Sequence, residues 1–286
     1  MREVASSAEL RAATDAARRG GAGVGFVPTM GALHAGHRSL LARARAENDL
    51  VVASVFVNPL QFGPAEDLAG YPRDRKADLA VLEAEGTDLA FLPAEAEMWP
   101  SPPEVRLRVG GGLAERLEGL HRPGHLDGVA TVVAKLLHLV GPSRAYFGQK
   151  DAQQLAVVRR MVDDLAFPNQ VVACPTVREP DGLAVSSRNA YLSPDERRRA
   201  TVLYRALQAG QAAFSAGRRD PAAVEAAARE LLEGRPGVEP DYVALVEPDS
   251  FEPAKQAEAG QVLATAARVG RTRLIDNVIL AAEVGP

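Results

Sequence analysis

The chain has 286 residues, of which 47% are hydrophobic, and 33 basic against 37 acidic side chains give a formal net charge of −4. This length suits one large domain with a smaller one, and the charge balance lacks the basic excess of a nucleic-acid-binding surface. The single cysteine, Cys174, cannot form an internal disulfide, and no window approaches the roughly 20 apolar residues that span a bilayer. We therefore expect a cytoplasmic protein that binds neither nucleic acid nor membrane.

Short apolar runs alternate with segments of helical composition through the first part of the chain. The apolar runs predict strands at 24–27, 50–57, 88–92, 145–147 and 170–174. Helices are predicted at 37–48, 73–85, 131–140 and 152–163. Strand–helix alternation indicates an α/β fold with parallel strands joined by right-handed crossovers. Ligands of such sheets bind beyond the carboxyl ends of the strands.

The pattern changes after about residue 189. A long helix is predicted at 194–216, with Ser193 as its N-cap, and a second helix at 221–233. Strands follow at 242–246, 262–269 and 273–280, which favours a small antiparallel sheet. We therefore predict one domain over 1–180 and a smaller C-terminal α+β domain over 181–286.

The loop after the first predicted strand reads PTMGALHAGH, from Pro28 to His37. A helix N-terminus offers free N–H groups and partial positive charge, which suit phosphate. His34 and His37 share one face of a helical turn. They could donate to phosphate oxygens or, near an ordinary pKa of about 6.5, carry charge as a leaving group departs. A zinc site is an alternative that lacks further ligands at suitable spacing, and two solvated histidines without a role are another.

Two more polar loops follow predicted strands. The stretch FVNPLQFG contains Gln61, whose amide can orient a carboxylate or hydroxyl, although a surface turn would look similar. The stretch YFGQKD contains Lys150 and Asp151, which suit phosphate neutralisation. Gln153 and Gln154 point in different directions from a helix, so at most one of them can face a ligand.

A fourth loop, DGLAVSSRN, places two hydroxyls beside a guanidinium at Ser186, Ser187 and Arg188. Alone it could be an ordinary polar loop, but it could also clamp a polyphosphate. The motifs, in chain order, are VPTMGALHAGH, FVNPLQF, YPRD, HRPGHLDGV, YFGQKDAQQL, TVREPDGLAVSSRN and TRLIDN. In this combination the chain resembles the pantothenate synthetase (pantoate–β-alanine ligase) family along nearly its whole length. The first motif is similar to the HIGH signature of a larger nucleotidyltransferase superfamily.

The resemblance implies a Rossmann-like, doubly wound parallel sheet with a smaller C-terminal domain that closes over the active site. It implies that ATP activates (R)-pantoate as pantoyl adenylate, which β-alanine then attacks to give pantothenate, AMP and pyrophosphate. Mg²⁺ is implied as the cofactor and a homodimer as the assembly.

The resemblance also implies roles for particular residues. His37, His34, Lys150 and Arg188 are the implied catalytic residues, with His37 as proton donor. Gln61 and Gln154 are the implied pantoate-binding residues, and Asp78 is an implied helper of Mg²⁺. The implied ATP site comprises Met30, Gly31, Ala32, Leu33, His34, Ala35, Gly36, His37, Gly148, Gln149, Lys150, Asp151, Val177, Val185, Ser186, Ser187 and Arg188.

Four positions depart from the family pattern. Gln149 replaces a usual Glu, Ala152 an aromatic residue, Leu126 a Phe, and Val185 a Met or Leu. None of them removes a charged phosphate-binding group. Two other functions remain open from the residues: a nucleotidyltransferase that keeps the nucleotide on its product, and a non-catalytic protein that senses adenylates.

Overall fold

The computed structural model describes residues 1–64 and 68–282. In these residues a six-stranded sheet has the order β1-β4-β3-β2-β5-β6, and all its pairings are parallel. Its strands are β1 Arg2–Val4, β2 Val24–Thr29, β3 Leu50–Val55, β4 Leu89–Phe91, β5 Arg144–Gly148 and β6 Gln170–Cys174. The predicted α/β fold with a parallel sheet is confirmed.

The sheet has a switch point at its centre. From β2 the chain runs through β3 to β4 on one side, whereas β5 and β6 lie on the other side of β2. Crevices at the carboxyl ends of strands at such a point are where ligands bind in open α/β sheets. The loops that follow β2 and β5 therefore begin at a position suited to a ligand site.

Eight α-helices accompany the sheet in the described part of the chain. They are α1 Ser7–Arg19, α2 Ala35–Glu47, α3 Arg75–Ala84, α4 Glu95–Met98, α5 Gly112–Glu115, α6 Glu118–His121, α7 His125–Val140 and α8 Ala152–Asp164. The sequence interpretation missed strand β1 and the helices α1, α4, α5 and α6. Helix α1 begins with a capping box that pairs Ser6 with Glu9. The sequence interpretation also began α7 too late, because the first turn of that helix carries the polar residues His125 and Asp127.

The apolar interior lies between this sheet and its helices. Leu41 and Ala44 of α2 and Val51 and Ala53 of β3 are fully buried in one cluster. β3 is apolar except at Ser54, because both of its faces are covered, as expected for a central parallel strand. The cluster holds α2, and with it the loop that precedes α2, against the sheet.

The C-terminal part contains helices followed by an antiparallel sheet. The helices are α9 Pro194–Ala200, α10 Val202–Ser215 and α11 Pro221–Leu232, and the strands are β7 Val238–Val246, β8 Val262–Val269 and β9 Thr272–Ile279 in the order β7-β8-β9. The prediction of one helix over 194–216 was wrong, because the helix is interrupted at Thr201. Ser193 is the N-cap as predicted, in a capping box with Glu196.

The chain divides into two compact units, Met1–Gln149 with Val157–Pro175 and Lys150–Ala156 with Thr176–Pro286. The limits 1–180 and 181–286 stay a prediction; the compact units differ from them by placing Lys150–Ala156 and residues 176–180 with the C-terminal residues. Within residues 1–64 and 68–282, no helix combines the length and hydropathy that a bilayer crossing requires.

Candidate active site

The loop between β2 and α2 has a strained backbone. Gly31 has φ 85° and Ala32 has φ 51°, and the left-handed region is unfavourable for a residue with a Cβ. The hydroxyl of Thr29 donates to the carbonyl of Ser54 at 2.7 Å and accepts from the amide of Gly31 at 3.2 Å. These bonds fix the point at which the chain leaves the sheet and turns into α2.

Asp78 of α3 stabilises this loop. Its two carboxylate oxygens accept hydrogen bonds from the amides of Ala32 and Leu33 at 3.1 and 2.8 Å, and the residue is only 4% exposed. A Cβ on Gly31 would lie 2.7 Å from Asp78 Oδ2, so glycine permits the close approach. Asp78 therefore has a role in holding the loop backbone, which the sequence interpretation did not foresee.

The two histidines meet at the start of α2. His34 is the N-cap residue, and its ring centroid lies 4.1 Å from that of His37. A Cβ on Gly36 would lie 3.0 Å from the His34 ring, which explains the glycine between them. The amide of His34 donates to His37 Nδ1 at 3.3 Å. Because Nδ1 accepts, the neutral ring carries its proton on Nε2, and His37 can present that N–H to an anionic oxygen.

Gln61 lies at the end of a 3₁₀ turn, Pro59–Gln61, that follows β3. Asn58 Nδ2 donates to Gln61 Oε1 at 3.2 Å, which leaves Nε2 to donate to the thioether of Met30 at 3.0 Å. Sulfur is a weak acceptor, so an oxygen of a bound acid would be a better partner for this N–H. Gln61 and the loop that contains Met30 are therefore in contact.

Residues to which the sequence interpretation gave no role hold the Gln61 turn. His125 Nε2 lies 2.9 Å from Arg122 Nη1, and His125 Nδ1 lies 2.8 Å from the carbonyl of Gln61. The guanidinium can only donate, so Nε2 accepts and Nδ1–H donates to Gln61. Trp99 Nε1 also donates to Asn58 Oδ1 at 3.3 Å. His125 and Asn58 belong to recognised motifs, whereas nothing in the local sequence marks Trp99.

Lys150 lies in the second compact unit, in the 3₁₀ turn Gln149–Asp151 between β5 and α8. Its ammonium group is 3.2 Å from Asp151 Oδ1, and its side chain is 20% exposed. Gln153 is buried and Gln154 is half-buried, so Gln154 is the more accessible of the two glutamines.

The segment with Ser186 and Arg188 is an ordered turn in the same unit. Val185 N donates to Val177 O at 3.0 Å, so the two residues close a hairpin over 177–185. Ser186 Oγ then caps the 3₁₀ turn Ser187–Tyr191 by accepting from Arg188 N at 3.3 Å. The two predicted ATP-site valines thus form the base of the hairpin that leads into the serines.

Arg178 anchors this hairpin to β9. It makes a bidentate ion pair with Asp276 at 2.6 and 2.9 Å, and its guanidinium carbon lies 3.9 Å from the centre of the Tyr204 ring. Burial raises the pKa of Asp276, while the hydrogen bonds and charge of Arg178 act in the opposite direction. A bidentate guanidinium–carboxylate pair is geometrically specific, so it fixes the hairpin in one position on the sheet.

Known proteins are similar to this chain along nearly its whole length. The family described as pantoate-beta-alanine ligase matches residues 2–279. The chain is 54% identical to a pantothenate synthetase of Roseiflexus castenholzii, covering 99% of this chain and 100% of the relative.

Two solved structures are similar to this chain over nearly its whole length. The pantothenate synthetase of Thermus thermophilus has a TM-score of 0.92 at 53% identity and covers 98% of this chain and 99% of its own. The pantoate-beta-alanine ligase of Francisella tularensis, solved with beta-gamma ATP and beta-alanine, has a TM-score of 0.81 at 32% identity and covers 100% and 99%. The chain therefore belongs to the pantoate-beta-alanine ligase family.

Proposed function

We propose that this chain is a pantoate–β-alanine ligase that condenses (R)-pantoate with β-alanine at the expense of ATP, through pantoyl adenylate. The observation that carries the proposal is the match to this family over residues 2–279. The ordered His34–His37 and Gln61 loops at the carboxyl ends of β2 and β3 support it.

In the first step a carboxylate oxygen of pantoate attacks the α-phosphorus of ATP, and the bond from that phosphorus to the bridging oxygen breaks to release pyrophosphate. Such a step needs placement and charge neutralisation more than a protein nucleophile. We assign charge neutralisation to His34, His37, Lys150 and Arg188, with the Nε2–H of His37 as the donor to a departing oxygen. Ser186 and Ser187 supply further donors to the phosphates.

In the second step the amine of β-alanine attacks the acyl carbon of pantoyl adenylate. The new C–N bond forms, the bond from the acyl carbon to the AMP oxygen breaks, and the amine loses a proton. Gln61 and Gln154 are the residues we assign to pantoate. Because Asn58 occupies Gln61 Oε1, Gln61 presents Nε2–H, which suits a carboxylate or hydroxyl oxygen.

Mg²⁺ is proposed as the partner of ATP. Among residues 1–64 and 68–282, no cluster of three or more His, Cys, Asp or Glu side chains could hold a metal ion, and both oxygens of Asp78 accept from loop amides. We therefore assign the ion to phosphate oxygens of the bound nucleotide, where it would screen the charge of the triphosphate.

A cytoplasmic homodimer is proposed as the form of the enzyme. Light scattering coupled to size-exclusion chromatography would give the molar mass, and a monomer at every concentration would contradict the assembly.

The reaction is tested by supplying ATP, Mg²⁺, pantoate and β-alanine and measuring AMP and pyrophosphate. With β-alanine omitted, we expect about one pyrophosphate per active site, because the adenylate remains bound. With pantoate labelled by ¹⁸O in its carboxylate, the AMP should carry one labelled oxygen, since that oxygen leaves with the phosphate.

The two other functions give different results. Pyrophosphate without AMP in the complete mixture would indicate a nucleotidyltransferase that keeps the nucleotide on its product. ATP binding by calorimetry without any turnover would indicate an adenylate sensor. Either result would contradict the proposal.

A further inference from the structure

Asn277 of β9 contacts two segments to which the proposed function assigns phosphate binding. Its side-chain Nδ2 donates to the backbone carbonyl of Lys150 at 2.9 Å, and its backbone carbonyl accepts from Arg178 Nη2 at 3.0 Å. Asn277 is 6% exposed, and all three residues lie in the second compact unit. One buried residue therefore connects the turn of Lys150 with the hairpin that leads to Ser186.

The Arg178 end of this connection is rigid. The guanidinium also donates to Gly182 O at 3.1 Å, and its ion pair with Asp276 is buried, with side-chain exposures of 17% and 2%. A Cβ on Gly182 would lie 2.2 Å from the Tyr204 ring, so the hairpin packs closely on its support. These contacts together hold one side of Asn277 in place.

The Lys150 end is a bond to the backbone. A lysine side chain is flexible, so the position of its ammonium group depends on where the main chain places its Cα atom. The turn Gln149–Asp151 is short, and the bond from Asn277 fixes the carbonyl at its centre. Loss of this bond would leave the charge of Lys150 intact while changing its placement.

We infer that Asn277 is a positioning residue that holds Lys150 in register with the phosphate-binding turn Ser186–Arg188. The inference rests on the roles that the proposed function gives to Lys150 and Arg188. Misplacement of a binding group by about 1 Å can cost on the order of 100-fold in rate, so a fixed spacing between the two cations matters for a triphosphate.

The test is Asn277→Leu, which removes the amide donor, keeps the same number and branching of side-chain heavy atoms, and leaves the backbone carbonyl for Arg178. We expect the KM for ATP to rise about 5-fold, the usual effect of one hydrogen bond. The KM values for pantoate and β-alanine should stay within about twofold. Calorimetric ATP affinity should fall by a similar factor, which provides a readout independent of turnover.

A double-mutant cycle separates positioning from general damage. Lys150→Ala should itself raise the KM for ATP, because a phosphate-neutralising charge is lost. If Asn277 acts through Lys150, adding Asn277→Leu to Lys150→Ala should change the KM for ATP by less than about twofold. An equal effect in both backgrounds would overturn the inference, as would an unchanged ATP affinity in the single variant.

Asn169→Leu is the matched control. Asn169 is also buried, at 7% exposure, and its amide donates to the carbonyl of Gly141 at 2.7 Å, in the other compact unit. The Asn169→Leu variant should have a lower Tm than the unmodified enzyme but the same KM for ATP. If Asn277→Leu yields no folded protein, Asn277→Ser, whose side chain is too short to reach Lys150, replaces it under the same criteria.

The outcomes distinguish this inference from the proposed function. Absence of AMP and pyrophosphate from the unmodified enzyme would refute the function, and an unchanged KM for ATP in Lys150→Ala would refute the role of Lys150. Either result would also overturn the inference. A normal enzyme with an ATP-defective Lys150→Ala variant and an unaffected Asn277→Leu variant would overturn the inference alone.

Discussion

Asp78→Asn tests how the loop before α2 is held. The carboxylate is buried and accepts two backbone hydrogen bonds, at 3.1 and 2.8 Å. An Asn side chain has the same shape but offers one oxygen and one NH₂ group. One loop amide would then face a donor instead of an acceptor, next to the positive φ of Ala32.

The expected loss is one charge-assisted hydrogen bond, which contributes roughly 1.5–3 kcal/mol. The remaining bond loses its charge assistance, so we expect the free energy of unfolding to fall by about 2–3 kcal/mol. The rate of pyrophosphate release should also fall, because His34 directly follows the displaced amides and its own amide bonds to His37 Nδ1. Added Mg²⁺ should not restore it.

Asp74→Asn is the matched control on the same helix. Asp74 is the N-cap of α3 and accepts from Ala77 N at 3.0 Å on the surface, and Asn caps helices about as well as Asp. Urea denaturation and a Mg²⁺ titration of pyrophosphate release would be measured for both variants. Equal stability of the two variants, together with rescue of Asp78→Asn by Mg²⁺, would refute the loop-holding role and favour a metal ligand.

Three further predictions concern the site and its support. His37→Ala should slow pyrophosphate release by roughly 10²–10⁴, the range for a positioned acid–base group; unchanged single-turnover kinetics would reassign the residue to structure. Gly128→Ala would place a Cβ 2.2 Å from the carbonyl oxygen of Leu60, beside Gln61. We therefore expect it to destabilise the protein by roughly 1–3 kcal/mol and to raise the KM for pantoate. Denaturation and pantoate kinetics would check this, and an unchanged KM for pantoate would contradict it. Burial raises the pKa of Tyr146 to about 12. The hydrogen bond with Asn48 lowers this pKa, whereas the hydrogen bond and the charge of Glu47 raise it. The folded state therefore holds this proton more tightly, and stability should fall between about pH 10 and 12; Tyr146→Phe should flatten that fall in denaturation curves, and an identical slope would refute the assignment.

All the strands except β1 were predicted, because the signal of a strand is local; β1, Arg2–Val4, was missed. The limits of β8 and β6 agree with the predicted 262–269 and 170–174, since both are short runs of mostly apolar residues. The 3.6-residue period also located α2 and α8, although α2 begins at Ala35 rather than at 37. The break at Thr201 was missed because α9 and α10 both have helical composition, and no glycine or proline separates them.

The sequence predicted those features of the candidate site that depend only on which side chains a loop carries and on their spacing. The spacing of His34 and His37 predicted that they share a face, and their rings meet at 4.1 Å. The tautomer of His37 was not predictable, because it depends on a backbone amide reaching Nδ1. A motif specifies which side chains are present, whereas the position of their protons depends on how the backbone folds around them.

The residues that hold the loops of the candidate site could not be predicted from the sequence, because their hydrogen-bond partners lie far away along the chain. Asp78 bonds to amides about 45 residues away, His125 to a carbonyl 64 residues away, and Asn277 to a carbonyl 127 residues away. In each case the partner is a backbone group of a site loop, so the bond does not depend on which side chain the loop carries there. This explains how a departure such as Gln149, next to the anchored carbonyl of Lys150, can occur without loss of the anchor. Variation in these loops should therefore alter contacts with substrates before it alters the fold, whereas substitution of a distant anchor should displace an otherwise intact motif.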